Sequence, residues 1–434
     1  MDALTAAAVL FGAFFVLLFA GVPISVSLGA ASLVTALVFL PAGDSLYVIG
    51  QQMHVGIESF SLLAIPLFVF AGNIMNNGGI ARRLVDFALV LAGRVPGALA
   101  HTNVLGNMLF GSLSGSAVAS AAAIGSTLHA RQEEEGYDPA FGASVNIASA
   151  STGLLIPPTT AAIVYSSVAG GVSVSALFMA GYVPGVLMGV VIMAIAYVFA
   201  RRQRYPKTGG VTPAEGLRVF LEAIPGLLLI VIVVGGIVFG VFTATEGAGV
   251  AVLYTLVLSL VYRSMSWTAF KEVVTRTVVA TGVVMFLIGA SAGMSWVMSY
   301  AGIPATITDA LLSVTDSKVV VLLLMLLVLL VVGTFMDITP AILVFTPIFL
   351  PIATELGMDP VHFGMVLILA MCLGTMTPPV GSVLFVATGV SGVSIERVVP
   401  RLMPYFLGVI LLLLAVTFIP ALSLGLPGMM GLLE

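Results

Sequence analysis

The sequence has 434 residues, of which 60% are hydrophobic and only 8% charged, and its formal net charge is −4. Soluble domains carry about 25% charged residues, so this composition excludes a soluble globular protein and indicates a polytopic membrane protein. The single cysteine, Cys372, excludes an intramolecular disulfide framework and a thiolate metal cluster.

Apolar runs long enough to cross a membrane, about 20 residues each, recur along the whole chain. The first follows a start that lacks the basic n-region of a signal peptide, so we expect it to be retained. Together the runs predict ten membrane spans, at about residues 4–20, 22–41, 61–78, 139–169, 174–200, 223–242, 248–262, 277–299, 361–388 and 402–422.

Two further runs, 97–130 and 318–353, are long for one span and hold glycine and hydroxyl residues midway, at 111–116 and 333–340. We predict that each is a re-entrant hairpin that enters and leaves the membrane on one side. Cytoplasmic loops are enriched in Lys and Arg. With the N-terminus outside, this arrangement places every Lys and Arg except Lys318 in the cytoplasm. Treating either run as a full span would put later charges on the wrong side.

Proline pairs interrupt two of the predicted spans, beginning at Pro157 and at Pro378. A proline in a helix lacks an N–H and clashes with the carbonyl four residues back, so the carbonyls of Gly153 and Gly374 are expected to be free. In a membrane, free carbonyls must be satisfied by protein, water or an ion. A structural kink explains one such pair as well as an ion site does, but the second copy favours two broken helices at a transport site.

An offset of 221 residues relates the two halves of the chain. It aligns the Gly-x-Asp-Pro turns at 136–139 and 357–360, and the segments at 153–158 and 374–379 that contain the proline pairs. Each half therefore holds spans, a hairpin, a turn and a broken helix, and the two hairpins are predicted to open to opposite sides. Such an inverted-topology repeat is typical of secondary transporters with a site at the membrane midplane. No P-loop pattern is present, so ATP hydrolysis is not indicated and a nucleotide cofactor is not expected. The transporter interpretation predicts that the protein is not an enzyme.

The repeat divides the chain into five predicted segments. Two are scaffold helices and two form the halves of a transport domain, each with a hairpin, a broken helix and a following span. In chain order they are scaffold 1–95, transport domain 96–200, cytoplasmic linker 201–222, scaffold 223–317 and transport domain 318–434.

Four stretches carry a family resemblance: GSLSGSAVAS from residue 111, LLIPPTTAAIVYS from 154, GTFMDITPAILVFTPIFLP from 333 and LGTMTPPVGSVLFVA from 373. With them the chain resembles, over essentially its whole length, the large membrane subunit of a tripartite ATP-independent periplasmic (TRAP) transporter, in the wider ion transporter superfamily. The resemblance implies an inner-membrane protein of a bacterium or archaeon that imports a small organic acid, such as a dicarboxylate or a sialic acid, with sodium. It also implies an elevator motion, a small four-span membrane subunit and a soluble periplasmic substrate-binding protein. Membrane lipid is an expected partner and nucleic acid is not.

Two sodium sites or more are expected, because sodium is a hard cation and unwound carbonyls supply the oxygens it needs. The first predicted site joins the first hairpin tip to the first broken helix, and its positions match sodium ligands of the family. Its alternative is that the small residues only allow close helix packing. The predicted ligands are Ser114, Ser116, Gly153, Ile156 and Pro158.

The second predicted sodium site mirrors the first. It consists of Gly333, Asp337, Thr375, Thr377 and Val380. Asp337 is the one acidic residue in the apolar stretch from 319 to 354, and a carboxylate inside a membrane is by default functional. The alternative is a neutral aspartate that caps the second arm of the hairpin.

For the substrate, four helices are expected to aim their positive N-terminal ends at the middle, which suits a carboxylate. The candidate contacts are Asn146, Thr159, Thr160 and Ser382. The hairpin tips contain no Lys or Arg, so any direct cationic contact must come from elsewhere in the protein.

Three other functions stay open. A single-component sodium/carboxylate transporter or ion antiporter of the same superfamily would lack the partner subunits. An intramembrane hydrolase using Asp337 would need a second acid, and no clear one is present in the sequence. A channel would show no stoichiometric sodium coupling.

Overall fold

The computed structural model describes residues 3–77, 79–207, 212–307, 317–378 and 380–433. These residues form helices joined by short turns, and none of the described residues lies in a β-strand. The all-α prediction is confirmed. The helices of the first half are α1 (Ala3–Phe19), α2 (Ile24–Phe39), α3 (Ala42–Ile57), α4 (Ala64–Asn77), α5 (Ile80–Ala92), α6 (Ala98–Ser114), α7 (Ala117–Glu134), α8 (Pro139–Ala150), α9 (Thr160–Val168) and α10 (Val174–Gln203).

The second half repeats this order from its first hairpin arm onward. Its helices are α11 (Pro213–Val238), α12 (Ala244–Val261), α13 (Trp267–Tyr300), α14 (Lys318–Gly333), α15 (Ile338–Glu355), α16 (Pro360–Thr375), α17 (Ser382–Ser391), α18 (Ile395–Phe418) and α19 (Ala421–Met429). Thus α6 to α10 correspond to α14 to α18.

Six described helices have at least 18 residues and are apolar enough to cross a membrane. Several others, such as α1 and α2, are apolar but one or two residues shorter. A polytopic membrane protein is therefore confirmed, whereas the number of ten spans stays a prediction.

Among the described helices, the sequence analysis missed α3, α5 and α19. Helices α3 and α5 carry polar and charged side chains on an exposed face, so their apolar residues do not form one long run. Helix α11 begins at Pro213, inside the predicted linker. Helix α13 begins at Trp267, ten residues before its predicted start.

Both predicted hairpins are present, and each is closed by local signals. In the first, Gly115 ends α6 in the left-handed region with φ 63°, which glycine adopts readily. The Ser116 side chain then accepts the N–H of Ala119 and begins α7. In the second, Asp337 begins α15 by accepting the N–H of Ile338 at 2.9 Å.

Both broken helices begin in the same way and then differ at the break. Asp138 and Asp359 are the N-caps of α8 and α16, each followed by a proline at the first helical position. The first helix breaks between Ala150 and Thr160. At the second break the prediction of a free Gly374 carbonyl is wrong, because this oxygen accepts the N–H of Thr377 at 2.9 Å. The chain tightens into a turn before Pro378, which replaces the bond that proline cannot make.

The two broken helices cross at equivalent residues and run antiparallel. The Sγ of Cys372 lies 3.4 Å from the carbonyl oxygen of Ser151, exactly one repeat earlier in the chain. Beyond the crossing, the Tyr165 hydroxyl at the end of the first broken helix donates to the carbonyl of Pro360 at the start of the second, at 2.6 Å. Antiparallel crossing at equivalent positions is the arrangement of an inverted repeat, so this part of the fold prediction is confirmed.

Candidate functional site

Each hairpin packs backbone to backbone against the broken helix of its own half. A Cβ added to Gly111 would lie 2.9 Å from the Cα of Gly153, and one added to Gly333 would lie 3.0 Å from the Cα of Gly374. In the reverse direction, a Cβ added to Gly153 would overlap the Cα of Gly111, and one added to Gly374 would lie 2.5 Å from the Cα of Gly333. These last two positions are too close for a real side chain, so Gly153 and Gly374 must be glycine for this approach. The paired glycines hold the hairpin tips beside the two helix breaks.

A cavity of about 400 Å³ lies between the hairpin tips and two helices of the predicted scaffold. One wall is formed by α4 and α13, and the other by both tips together with α9. Its polar lining residues are Asn73, Asn76, Ser114, Ser116, Thr160, Arg276, Asp337 and Thr339.

The N-terminal ends of three helices meet at this cavity. Ser116 precedes α7, Thr160 begins α9 and Asp337 precedes α15, and all three line the wall. Free N–H groups and the helix dipole give such ends a positive partial charge that attracts anions. Three of the four predicted helix ends therefore converge, while α17, the fourth, contributes no lining residue.

A smaller cavity of about 60 Å³ continues from the first, between the tip of the first hairpin and that of the second. Ser116, Leu154, Thr160 and Asp337 lie on its wall. It is large enough for a water molecule or a small ion, and oxygen atoms from both halves of the chain reach it.

The structure brings the predicted first sodium site together in part. Ser114 Oγ lies 3.5 Å from the carbonyl oxygens of Gly111 and Ser116, and Gly111 contacts Gly153. Within the described residues, no N–H or O–H group donates to the carbonyls at 153, 156 and 158. The carbonyls of Gly153, Ile156 and Pro158 thus remain available as acceptors within the helix break.

The predicted second sodium site is more dispersed. The Thr375 hydroxyl donates to the carbonyl of Cys372 at 2.8 Å and lies 2.9 Å from the Ser151 hydroxyl, and the Thr377 hydroxyl donates to Leu373 at 2.7 Å. Both threonine oxygens keep a lone pair for a cation. Gly333 lies against the same helix, and Val380 is exposed after the break.

Asp337 lies across the cavity from the first hairpin rather than only beside the second broken helix. Its carboxylate caps α15 and is exposed to the cavity that Ser116 and Thr160 also line. The capping contact predicted by the alternative interpretation is therefore present, and it leaves the second carboxylate oxygen for another partner.

The predicted substrate residues lie in different places. Thr160 lines the cavity, and its hydroxyl donates to the carbonyl of Gly115 at 3.3 Å. Thr159 is buried and caps α9 by accepting the N–H of Ala161. The Ser382 hydroxyl is buried at the start of α17, with no hydrogen-bond partner among the described residues.

Asn146 belongs to a buried polar network inside the predicted transport domain and not to the cavity. The amide nitrogen of Asn107 lies 3.1 Å from Asn146 Oδ1, 2.8 Å from Asn103 Oδ1 and 2.8 Å from Ser149 Oγ, and these three acceptors share its two hydrogens. Asn146 itself donates to the carbonyl of Ala121 at 2.8 Å. The network joins α6, α7 and α8, so Asn146 positions the first hairpin against its broken helix.

Sequence reasoning missed the residues that the scaffold contributes. Asn73 and Asn76 lie on α4, and Arg276 lies on α13. A polar side chain within a membrane helix is a signal that would have found the asparagines. Arg276 was assigned to a cytoplasmic loop because the predicted span began one residue later.

Comparison with known proteins gives one family. Residues 11–422 match the model of the tripartite ATP-independent periplasmic transporter, DctM component. The C4-dicarboxylate TRAP transporter large permease protein of Pseudomonas aeruginosa is 40% identical over 94% of this chain and 95% of that protein. The sialic acid TRAP transporter large permease protein of Vibrio cholerae is 34% identical over 95% and 96%.

The fold is also similar to a solved structure, that of the YdaH transporter of Alcanivorax borkumensis. The two share a TM-score of 0.60 and 16% identity, over 88% of this chain and 90% of that one. That transporter is described as having an unusual topology. The relatives are transport proteins, so the prediction of a transporter rather than an enzyme is confirmed. The chain belongs to the DctM family of TRAP transporter large permeases.

Proposed function

We propose that this protein imports a small organic acid together with sodium across a bacterial or archaeal inner membrane, as the large subunit of a three-component transporter. The other components are a small four-span membrane subunit and a soluble periplasmic binding protein. The observation that carries the proposal is the cavity where three helix N-termini and Asp337 meet between both hairpin tips.

An organic acid suits this cavity for two reasons. Its volume of about 400 Å³ is in the range of small-molecule sites, and the converging helix ends attract a carboxylate. The relatives from Pseudomonas aeruginosa and Vibrio cholerae are named for a C4-dicarboxylate and for sialic acid, which are both carboxylates.

Sodium coupling is supported by the oxygen atoms at the breaks. The residues fit a hard cation, because the carbonyls at 153, 156 and 158 accept no hydrogen bond from the described residues. Ser114 adds a hydroxyl in the first half, and Thr375 and Thr377 add theirs in the second. A bound cation supplies positive charge near the helix ends, which favours an anion in the adjoining cavity.

The proposed movement is an elevator motion of the transport domain, 96–200 with 318–434, against the scaffold helices. The paired glycines keep each hairpin tight on its broken helix, so the domain moves as one body. The N-terminus is proposed to be periplasmic, which places the first hairpin's open end in the cytoplasm and that of the second outside.

The complete complex in proteoliposomes tests this function. The proteoliposomes contain the large and small subunits, with a loaded binding protein outside and an inward sodium gradient. We expect them to accumulate a C4-dicarboxylate or sialic acid. Leaving out the small subunit or the binding protein, or replacing sodium by choline, should each abolish it. Robust sodium-driven uptake by the large subunit alone would instead support a single-component transporter of the same superfamily.

A further inference from the structure

The scaffold wall of the cavity carries one cationic side chain, Arg276, among the described lining residues. It lies on α13, about two and a half turns after the first residue of the helix, Trp267, and its side chain is 61% exposed. Facing it across the cavity are the helix ends at Ser116 and Thr160, which carry no positive side chain of their own. Away from the carboxylate of Asp337, which begins the third helix end at this cavity, a substrate carboxylate would thus meet a partial positive charge on one side and a full positive charge on the other.

In the structure Arg276 pairs with Glu272 on the preceding turn, with Nη2 2.5 Å from Oε1. Both side chains are more than half exposed. Exposed pairs four residues apart contribute little to stability, because water competes with the partner and side-chain entropy is lost. A substrate carboxylate can therefore replace Glu272 at low cost, and the planar guanidinium suits such a bidentate contact.

The same face of α13 continues to a second cavity. Arg276, Ala280 and Val284 line the first, and Ser291 and Ser295 line the second, which has a volume of about 330 Å³. From residue 276 to residue 295 the helix rises about 28 Å. The second cavity also lies between the scaffold and the transport domain, against Ser167 of α9 and Pro347 of α15. None of its described lining residues is charged.

We propose that Arg276 is a specificity-determining residue. It binds the substrate carboxylate only when the transport domain lies, as in this structure, against the N-terminal half of α13. This inference rests on the proposed function. It adds the residue that makes the substrate affinity differ between the two cavities along α13. Because Arg276 belongs to the fixed scaffold, the carboxylate leaves it when the transport domain moves to the serine-lined end. On the charge distribution, the Arg276 end is cytoplasmic, so Arg276 controls substrate binding from inside.

The test compares substrate binding on the two sides of the membrane. Complexes carry wild-type protein, R276Q, R276K, E272Q or the control K271Q, and co-purification of the small subunit checks assembly. Proteoliposomes are loaded with graded unlabelled acid, and uptake of the radiolabelled acid is started by a loaded binding protein outside. The probe is whichever of a C4-dicarboxylate and sialic acid the wild type takes up faster.

In R276Q, the internal concentration that halves uptake should rise about tenfold, the loss of one charge-assisted contact. The external half-saturating concentration of loaded binding protein should change less than about twofold, because the outer cavity has no such contact. R276K should recover part of the internal affinity, since it keeps the charge without the planar fork. E272Q should lower the internal inhibitory concentration, because it removes the competing carboxylate.

K271Q removes the same charge one turn earlier, from an exposed residue that does not line the cavity, and it should match wild type. Unchanged internal inhibition in R276Q, or equal losses on both sides, would overturn the assignment while wild-type transport still supports the proposed function. A wild-type complex that takes up neither acid would remove the proposed function and the assignment with it.

Discussion

Alanine at Gly153 should strongly weaken sodium-driven uptake, and alanine at its repeat counterpart Gly374 should do the same. A Cβ at Gly153 would overlap the backbone of Gly111, and one at Gly374 would lie 2.5 Å from the Cα of Gly333. The obstacle in both cases is backbone, which cannot rotate away as a side chain can. Each variant should push a hairpin tip from its helix break and separate the oxygens of the proposed sodium sites.

Overpacking of this kind costs about 1–3 kcal/mol, and sodium affinity should fall by about tenfold or more. The measurement is uptake by the complete complex against sodium concentration, with co-purification of the small subunit as the check on folding. G389A is the matched control, because Gly389 lies in α17 of the same domain and has no atom within 4 Å of an added Cβ. Normal transport by G153A and G374A would show that the tight contacts are not needed for coupling.

Replacing Asp337 with asparagine should lower the sodium affinity of uptake at least tenfold, which corresponds to about 1.4 kcal/mol. Asn keeps the shape of the side chain and can still cap α15, so the change removes mainly the negative charge that faces the cavity. The half-saturating sodium concentration and the Hill slope in proteoliposomes are the quantities to measure.

D359N is a suitable control for D337N. Asp359 also begins a helix of the second half, by accepting the N–H of Val361 at 2.7 Å, but it does not line the cavity. It should transport as wild type does, because asparagine preserves the cap. If D337N also kept the wild-type sodium concentration and slope, Asp337 would be only a helix cap, as its contact with Ile338 allows.

The hairpins and broken helices were predictable because their signals are local. Glycine at 115, the Asp-Pro pairs that begin α8 and α16, and the proline at 157 each fix the backbone within a few residues. The offset of 221 residues then identified the equivalent elements, and the antiparallel crossing at Ser151 and Cys372 agrees with it.

The cavity itself was only partly predictable, because it depends on which faces of distant helices meet. Thr160 and Asp337 line it as their positions at helix ends suggested. Asn146 instead bonds to Asn107, two helices earlier in the chain, and nothing near Asn146 in the sequence indicates that partner. Arg276 reaches the cavity because α13 starts ten residues earlier than its apolar run, and the charged first turns hide this extension from a hydropathy pattern.

The central claim is that the two halves cross the membrane in opposite directions, and labelling from each side tests it most directly. In a C372S background, single cysteines replace Glu134 at the end of α7 and Glu355 at the end of α15. Both residues are exposed and they are one repeat apart. A membrane-impermeant maleimide should label E355C in intact cells and E134C only in inside-out vesicles. Labelling of both from the same side would contradict the inverted arrangement and the transport path built on it.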